Sequence, residues 1–316
     1  MKNNKKYQSL RVLFLGGTPR GLELMRILLF RKVTIAYAAI LKEDDHEPYQ
    51  VSEEIQELCQ KHHIPFCVCK RLDDEQLSAI LKTEPTVGFA CSWRSILPEA
   101  IYEGLPQGCL VAHDSLLPKY RGFAPTSWAI INGETKTGVT LFKIKKGPAN
   151  SGDIFRQKSV TIGKEDTAED IYPRLVKVTV SLFEEYIESY NAGTIKFTKQ
   201  DERKATYACR RTPEDGRIDW NRSARDIFNL TRALTAPYPP AWTTFEGKKV
   251  FIKKASLFDE QRVYEGNIPG RIASCSSSGV VVLCGQGQIL LKDIVLESGE
   301  TLKTEQLLLS STKVFI

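Results

Sequence analysis

The stretch Cys109–Gly122, CLVAHDSLLPKYRG, passes from an apolar run into a polar segment carrying Pro and Gly. Cys109-Leu110-Val111-Ala112 has the length of a buried strand, and Gly122 stands ahead of the helix-like Thr126–Ile131, so the segment between reads as a strand-to-helix loop. Loops at that edge of an α/β sheet are where ligands sit. The chain has four histidines. One of them, His113, occupies the mouth of this strand, where an ordinary pKa of about 6.5 suits proton transfer near neutrality. On position alone a hydrogen-bonded structural role is the commoner one for such a histidine.

Upstream, Leu10–Leu15 is a short apolar run ending in Gly16-Gly17-Thr18-Pro19-Arg20-Gly21, after which Leu22, Met25, Leu28 and Leu29 recur at helical spacing. This is a β-loop-α start, and the free amides of such a helix end suit a phosphate. The glycines do not form GxGxxG, so a dinucleotide fingerprint is absent. Val33–Leu41, Pro65–Cys69 and Thr86–Cys91 read as further strands, with helices over Val51–His62 and around Leu77, Ile80 and Leu81. Alternation of this kind implies parallel βαβ units, hence a Rossmann-like, doubly wound, mostly parallel sheet.

Downstream, Thr137–Lys143 and Ile154–Ile162 are strands around the turn-rich loop Gly147–Asp153. Thr167-Ala-Glu-Asp170 resembles a capping box opening a long helix, with Ile171, Leu175, Val178, Leu182, Phe183 and Tyr186 on one face. The polar segment 193–205 reads as a linker between a first domain, 1–192, and a smaller one, 206–316. In the latter a helix opened by Ser223 precedes short strands at Val250–Ile252, Gly270–Ala273, Gly279–Cys284 and Gln288–Ile294. Gly and Ser turns between them suggest a β-barrel-like, OB-like domain.

At 316 residues and 42% hydrophobic content the chain can bury two cores. No apolar run approaches the roughly 20 residues of a membrane span, and the start MKNNKKYQS lacks a signal core, which leads to the expectation of a cytoplasmic protein without membrane contact. Eight cysteines lie partly in apolar strands and read as free thiols. Cys67-Val68-Cys69 beside His62 and His63 has the wrong spacing for zinc and no second ligand pair, so no metal is expected. The net charge of +6 is spread evenly: residues 206–316 carry 15 Lys and Arg against 12 Asp and Glu, residues 1–205 carry 29 against 26. Neither half concentrates a basic face, so nucleic acid is not expected as a partner.

The pattern HDSLLPKYRG, WAIINGET, TGVTLF and SGDI resembles the 10-formyltetrahydrofolate-dependent formyltransferases, and GRIDW with PYPPAW extends the resemblance into the second domain. It implies an N-formyltransferase with 10-formyltetrahydrofolate as co-substrate. One wall of the folate site would be Ser92–Pro98, with Trp93, Arg94, Ile96 and Leu97, and the facing wall Ser115, Leu116, Leu117 and Pro118. The family's catalytic set resembles an Asn two residues before the His, the His, and an Asp two residues before the Gly of a D-x-G segment. His113 matches. The Asn position is Val111 and the Asp position is Asn150, allowing one inserted residue. Valine cannot donate to an oxyanion, and Asn150 can orient but cannot carry charge. The catalytic expectation is therefore His113 with Asn150, and Asp153 as a carboxylate nearby; Asp114 is a second carboxylate, and a folate- or nucleotide-binding protein without catalysis is the alternative.

Methionyl-tRNA formyltransferases resemble the chain in domain plan but carry a basic insertion after the second strand. Here Lys42-Glu43-Asp44-Asp45-His46-Glu47-Pro48 is acidic and would repel tRNA phosphates. The expected acceptor is an amino-sugar nucleotide, its diphosphate near Thr18, Arg20, Lys119 or Arg121, with methionyl-tRNA as the alternative acceptor. Homodimer formation is left open.

Overall fold

The structure, a computed structural model, describes residues 9–44, 50–302 and 313–316. The loop residues Asp45, His46, Glu47 and Pro48 of the acidic connection lie outside the described residues.

Contacts divide the chain into two units that are not contiguous in sequence. Unit 1 comprises Met1–Gly122, Thr137–Val160 and Pro173–Tyr207; unit 2 comprises Phe123–Lys136, Thr161–Tyr172 and Ala208–Ile316. The sheet of unit 1 begins with β1 (Arg11–Gly16), α1 (Thr18–Phe30), β2 (Thr34–Leu41), α2 (Ser52–Lys61), β3 (Phe66–Cys69), α3 (Asp74–Lys82) and β4 (Val87–Cys91). It continues through the short α4 (Glu99–Tyr102) to β5 (Cys109–His113). From Ile35 to Leu41 and throughout β4 every residue is buried, the near-continuous apolar reading of strands covered on both faces.

After the two-residue β6 (Arg121–Gly122) and α5 (Pro125–Ile131) come β7 (Lys136–Lys143), β8 (Asp153–Thr161) and α6 (Ala168–Asn191). Among the described residues the strand order is β3-β2-β1-β4-β5-β7-β8. β1 pairs parallel with β2 and β4, β4 parallel with β5, and β5 antiparallel with β7. Helix α6 lays Phe183 and Tyr186 on the sheet: Phe183 stacks on Phe89 at 4.8 Å, and Tyr186 meets Phe155 edge-on at 5.2 Å. Thr167 and Asp170 form the expected capping box, Thr167 N–H to Asp170 Oδ2 at 2.9 Å. Val178, expected on the buried face, is only half-buried; Thr179 takes the place in the interior by donating its hydroxyl to the Leu175 carbonyl at 2.8 Å.

The segment 193–205, read as a linker, is bound to unit 1. Thr198 exchanges two 2.8 Å backbone hydrogen bonds with Ile154, and Glu202–Lys204 form a 3-10 turn before β9 (Tyr207–Ala208).

Unit 2 holds α7 (Ala224–Ala233) and the strands β10 (Ala241–Phe245), β11 (Lys248–Asp259), β12 (Ile272–Ser276), β13 (Gly279–Leu283) and β14 (Gln288–Leu296). They form an antiparallel sheet in the order β10-β11-β14-β13-β12 around a core that includes Trp220, Phe228, Val250, Ile252, Val282, Ile289 and Phe315. Residues 313–316 join its two edges. Ile316 and Thr244 of β10 exchange 2.8 Å bonds, Phe315 N–H reaches the Gly270 carbonyl at 2.9 Å, and Ile272 of β12 donates to Lys313. This closure is the barrel-like feature the strand spacing suggested. Among the described residues no helix is long and apolar enough to cross a membrane.

Candidate active site

The sheet order reverses between β1 and β4: the chain leaves β1 toward β2 on one side and β4 toward β5 on the other. In open α/β sheets the loops following such strands frame the ligand crevice. Each of the three loops here contains a non-glycine residue in the left-handed region: Thr18 (φ 61°) after β1, Ser92 (φ 61°) after β4 and Tyr120 (φ 56°) after β5. Side chains rarely adopt that backbone without compensation, and such residues cluster at functional sites.

Arg20, in the first turn of α1, and Asp114, directly after β5, bridge the crevice. Nη2 donates to Asp114 Oδ2 at 2.8 Å and Nη1 to Oδ1, a two-pronged pair with the Arg side chain 5% and the Asp side chain 16% exposed. Arg20 was expected to meet a diphosphate and Asp114 to be a spare carboxylate. Each instead holds the other, because a buried guanidinium requires a carboxylate beside it.

His113 ends β5 and is 8% exposed. Its Nε2 lies 2.8 Å from the Tyr120 carbonyl, a group that can only accept, so Nε2 carries the hydrogen and the neutral ring leaves Nδ1 as the acceptor. Burial pushes the imidazole below its ordinary pKa of 6.5; the Tyr120 carbonyl and the Asp114 charge oppose that shift, and Arg20 adds to it. Val111, two residues earlier and thus on the same face, pairs with Ala90 of β4, packs against the apolar cluster that includes Leu13, Leu15 and Cys109, and brings no polar atom.

Asn150 acts on the same loop as His113. Its Oδ1 accepts the Gly122 N–H at 2.8 Å, two residues beyond the carbonyl that His113 holds, and its own left-handed backbone (φ 55°) is one that Asn tolerates. Gln200 fastens Asn150 from behind, Nε2 donating to the carbonyls of Asn150 (2.7 Å) and Gly152 (2.6 Å). Gly152 is obligatory: a Cβ there would stand 1.8 Å from the Lys143 carbonyl. Asp153 is partly exposed and pairs with Lys145 at 3.3 Å.

Arg121, expected to meet a diphosphate, is wholly buried. Its guanidinium donates to both Glu202 oxygens (2.7 and 2.8 Å), to Gln200 Oε1 (3.1 and 2.8 Å) and to the Tyr207 hydroxyl (3.3 Å). Lys119 is exposed, and Thr18 is half-buried. The expected folate wall Ser115–Pro118 is pinned from β7 and β8. Thr140 Oγ1 donates to the Ser115 carbonyl (2.6 Å) and accepts the Leu117 N–H (3.1 Å), while Gln157 donates to the Leu117 carbonyl (2.7 Å). Leu117 is buried, Leu116 and Pro118 half-buried, and the Leu117–Pro118 bond is cis. On the facing wall Leu97 is buried, Ile96 is 89% exposed, Arg94 is exposed and Trp93 is partly buried. Trp93 Nε1 and Ser95 Oγ are buried atoms with no hydrogen-bond partner.

Thr140, Gln157, Gln200 and Glu202 were not singled out in the sequence. Their partners are 17 to 81 residues away, beyond the reach of any local pattern. A cavity of about 410 Å³ in unit 2 lies on Arg217-Ile218-Asp219-Trp220 and includes none of the candidate residues. Among the described residues no cluster of three or more His, Cys, Asp or Glu could hold a metal ion.

Residues 29–187 match the family model described as formyl transferase, and residues 210–312 match its C-terminal domain model. A methionyl-tRNA formyltransferase of Geobacter metallireducens is 32% identical over 252 residues, 79% of this chain and 79% of that protein. An N-formyltransferase from Helicobacter canadensis, solved with folinic acid and dTDP-3-aminofucose, superposes with a TM-score of 0.67 at 20% identity, covering 90% of this chain and 99% of that one. HypX from Aquifex aeolicus, solved with tetrahydrofolic acid, gives 0.63 at 18% identity over 95% of this chain, which spans about half of that protein, 47%. At these identities the structural likeness speaks for the fold.

Proposed function

The chain belongs to the formyl transferase family, and from that membership we propose that it moves a formyl group from 10-formyltetrahydrofolate to the amine of an amino-sugar nucleotide, with His113 as the base. The observation that carries the reading is the state of the imidazole: Nε2–H is fixed on the Tyr120 carbonyl and burial favours the neutral ring, so Nδ1 is ready to receive a proton at neutral pH.

The folate wall fits its ligand on one point of its own chemistry. The buried Trp93 Nε1 and Ser95 Oγ have donors and no partner, and a pterin edge offers acceptors. The co-substrate supplies an electrophilic formyl carbon on a nitrogen that leaves. His113 takes the proton that the acceptor amine gives up as its nitrogen bonds to that carbon, and returns it to the departing nitrogen as that nitrogen's bond to the carbon breaks. Asn150, with Oδ1 engaged by Gly122, keeps its Nδ2 donor for the oxygen that gains charge, in place of the donor Val111 lacks. Arg20 and Asp114 position the loop that follows His113. Eight free cysteines fit a reducing compartment, in keeping with a cytoplasmic enzyme.

The connection after β2 supports the small acceptor. Glu43 is consumed in capping α2, accepting the N–H groups of Val51 (2.7 Å) and Ser52 (2.9 Å), and Asp44 pairs with Lys70; the described part of this connection carries one basic residue, the exposed Lys42, and no basic run. A second reading, methionyl-tRNA as acceptor, is favoured by the sequence relative and by stacked cations on unit 2. There Arg211 lies 5.0 Å from the Trp128 ring and Lys249 4.3 Å from the Trp242 ring.

The test is one assay: purified protein with 10-formyltetrahydrofolate, offered amino-sugar nucleotides and charged initiator tRNA separately, across a salt series. Formylation of a sugar amine with little salt dependence is expected. Transfer to tRNA alone, falling steeply with salt, overturns the acceptor; folate binding with no product on any amine overturns the activity.

A further inference from the structure

The segment 198–207 binds two loops of unit 1 at once. At one end Thr198 pairs with Ile154 of β8; at the other Thr206 accepts the Tyr120 N–H on its hydroxyl (2.9 Å) and the Arg121 N–H on its carbonyl (2.8 Å). Between them Gln200 meets both loops with one amide. Its Nε2 donates to the carbonyls of Asn150 and Gly152, and its Oε1 accepts Nε and Nη2 of Arg121, so all four hydrogen-bonding positions of the side chain are taken. Carbonyls only accept and a guanidinium only donates, which fixes the end of the amide that faces each loop. Asn150 is thereby held twice. Gln200 secures its backbone carbonyl and the Gly122 N–H secures its Oδ1, so the direction of Nδ2 is set. Its left-handed backbone, φ 55°, is of the kind that persists where the surroundings over-determine it. The grip on Arg121 falls between Tyr120, whose carbonyl holds the His113 ring, and Gly122, whose N–H holds Asn150. One side chain thus fixes the two candidate catalytic groups relative to each other.

We propose that Gln200 is a positioning residue for formyl transfer, acting through Asn150 by aiming its Nδ2 at the oxygen that gains charge; this role rests on formyl transfer with Asn150 as the oxyanion donor. Misplacing a reacting or stabilising group by about 1 Å can cost on the order of 10² in rate, so the hold on the Asn150 carbonyl is worth activity as well as stability. Gln200→Glu separates the two sides of the clamp. The new side chain has nearly the same size, and its oxygens still accept from Arg121. Toward Asn150 and Gly152 it turns an oxygen against two carbonyl oxygens, so that side alone is released.

The experiment compares the natural sequence with Gln200→Glu, Asn150→Gly and the two changes together. Glycine accepts the positive φ and keeps the carbonyl that Gln200 holds. Values of kcat and of KM for 10-formyltetrahydrofolate are measured with the amino-sugar nucleotide or charged initiator tRNA that the natural sequence turns over, and a thermal midpoint confirms that each variant is folded. Asn150→Gly is expected to lower kcat about 10²-fold, and Gln200→Glu roughly tenfold with KM within about twofold. The double variant should stay within about twofold of Asn150→Gly, because the aim of a donor is immaterial once the donor is gone. If Gln200→Glu does not fold, Gln200→Met, of similar length and uncharged, takes its place with the same expectation. A double variant that falls a further tenfold, or Gln200→Glu at the natural kcat while Asn150→Gly is slow, overturns the positioning role alone. Asn150→Gly at the natural kcat, or no turnover of any amine by the natural sequence, overturns the reading of Asn150 and the role built on it together.

Discussion

From Asp114 to Gly122 the polar groups of one loop are gripped by side chains far away in sequence: Arg20 on the Asp114 carboxylate, Thr140 and Gln157 on Ser115 and Leu117, His113 on Tyr120, Asn150 on Gly122. The sheet of unit 2 is the opposite case. Its strands are held by backbone ladders around Val250, Ile252, Val282, Ile289 and Phe315; the buried Thr243 hydroxyl is satisfied within the unit, and Gln288 donates its amide to the Tyr264 hydroxyl while its Oε1 has no partner. The contrast separates two uses of burial. In the loop, buried polar atoms fix one geometry at a cost in desolvation. In the sheet, apolar area supplies stability with little demand on geometry.

The sharpest way to break this comparison is through His113. His113→Ala is expected to lower formyl transfer by about 10²- to 10⁴-fold, measured as single-turnover product formation, with a modest drop in the thermal unfolding midpoint because the Tyr120 carbonyl loses its donor. Large residual activity would move the base elsewhere.

Next in size are two stability effects that should differ in kind. Asp114→Ala removes the carboxylate that faces the buried Arg20 guanidinium, and a cost of about 3–5 kcal/mol in urea unfolding is expected; the double change Arg20→Met with Asp114→Leu should recover much of it. Phe315→Ala opens a cavity in unit 2 and costs a similar ~3–5 kcal/mol, with no partner substitution that rescues it. If the double change proves worse than the single one, the Arg20–Asp114 pair is not acting as a buried ion pair. Glu202→Gln at Arg121 should cost less than Asp114→Ala, because the Glu202 side chain is 61% exposed and water replaces part of what it gives.

The smallest expected effect is a pH slope. His113 titrates lower in the folded protein than its ordinary 6.5, so as pH falls below about 6.5 the unfolded chain takes up a proton the folded one refuses. Stability contributed by the neutral ring is present above that pH and lost as pH falls through the folded value. His113→Asn should flatten this part of the urea-midpoint profile between pH 5 and 7; an unchanged slope assigns it to other groups.

Most of the unit 1 sheet was legible because β1, β2, β4 and β5 are uninterrupted apolar runs, and α6 because its cap and stripe are local. Strand β10 was hidden because it starts on the last two residues of PYPPAW, where Trp242 reads as a packing residue; its indole N–H does hold the Pro213 carbonyl at 2.9 Å. Only the centre of β11 was visible, since Lys253 and Lys254 interrupt its apolar alternation. At the candidate site, His113 and Asn150 could be singled out from motif positions, and both bond to the loop Asp114–Gly122. The fates of Arg20 and Arg121 were not, because a basic residue in a loop reads alike whether it faces a ligand's phosphate or a carboxylate 94 or 81 residues distant.

The joining of β10 to the Gly270–Ile272 edge by residues 313–316 sets a condition on synthesis. On a ribosome that has not yet passed Val314, the nascent chain already contains every strand of this sheet but has both margins exposed, each offering unpaired amides and carbonyls to neighbouring polypeptides. A chain cut before Lys313 would therefore hold every strand of this sheet and still keep two adhesive borders.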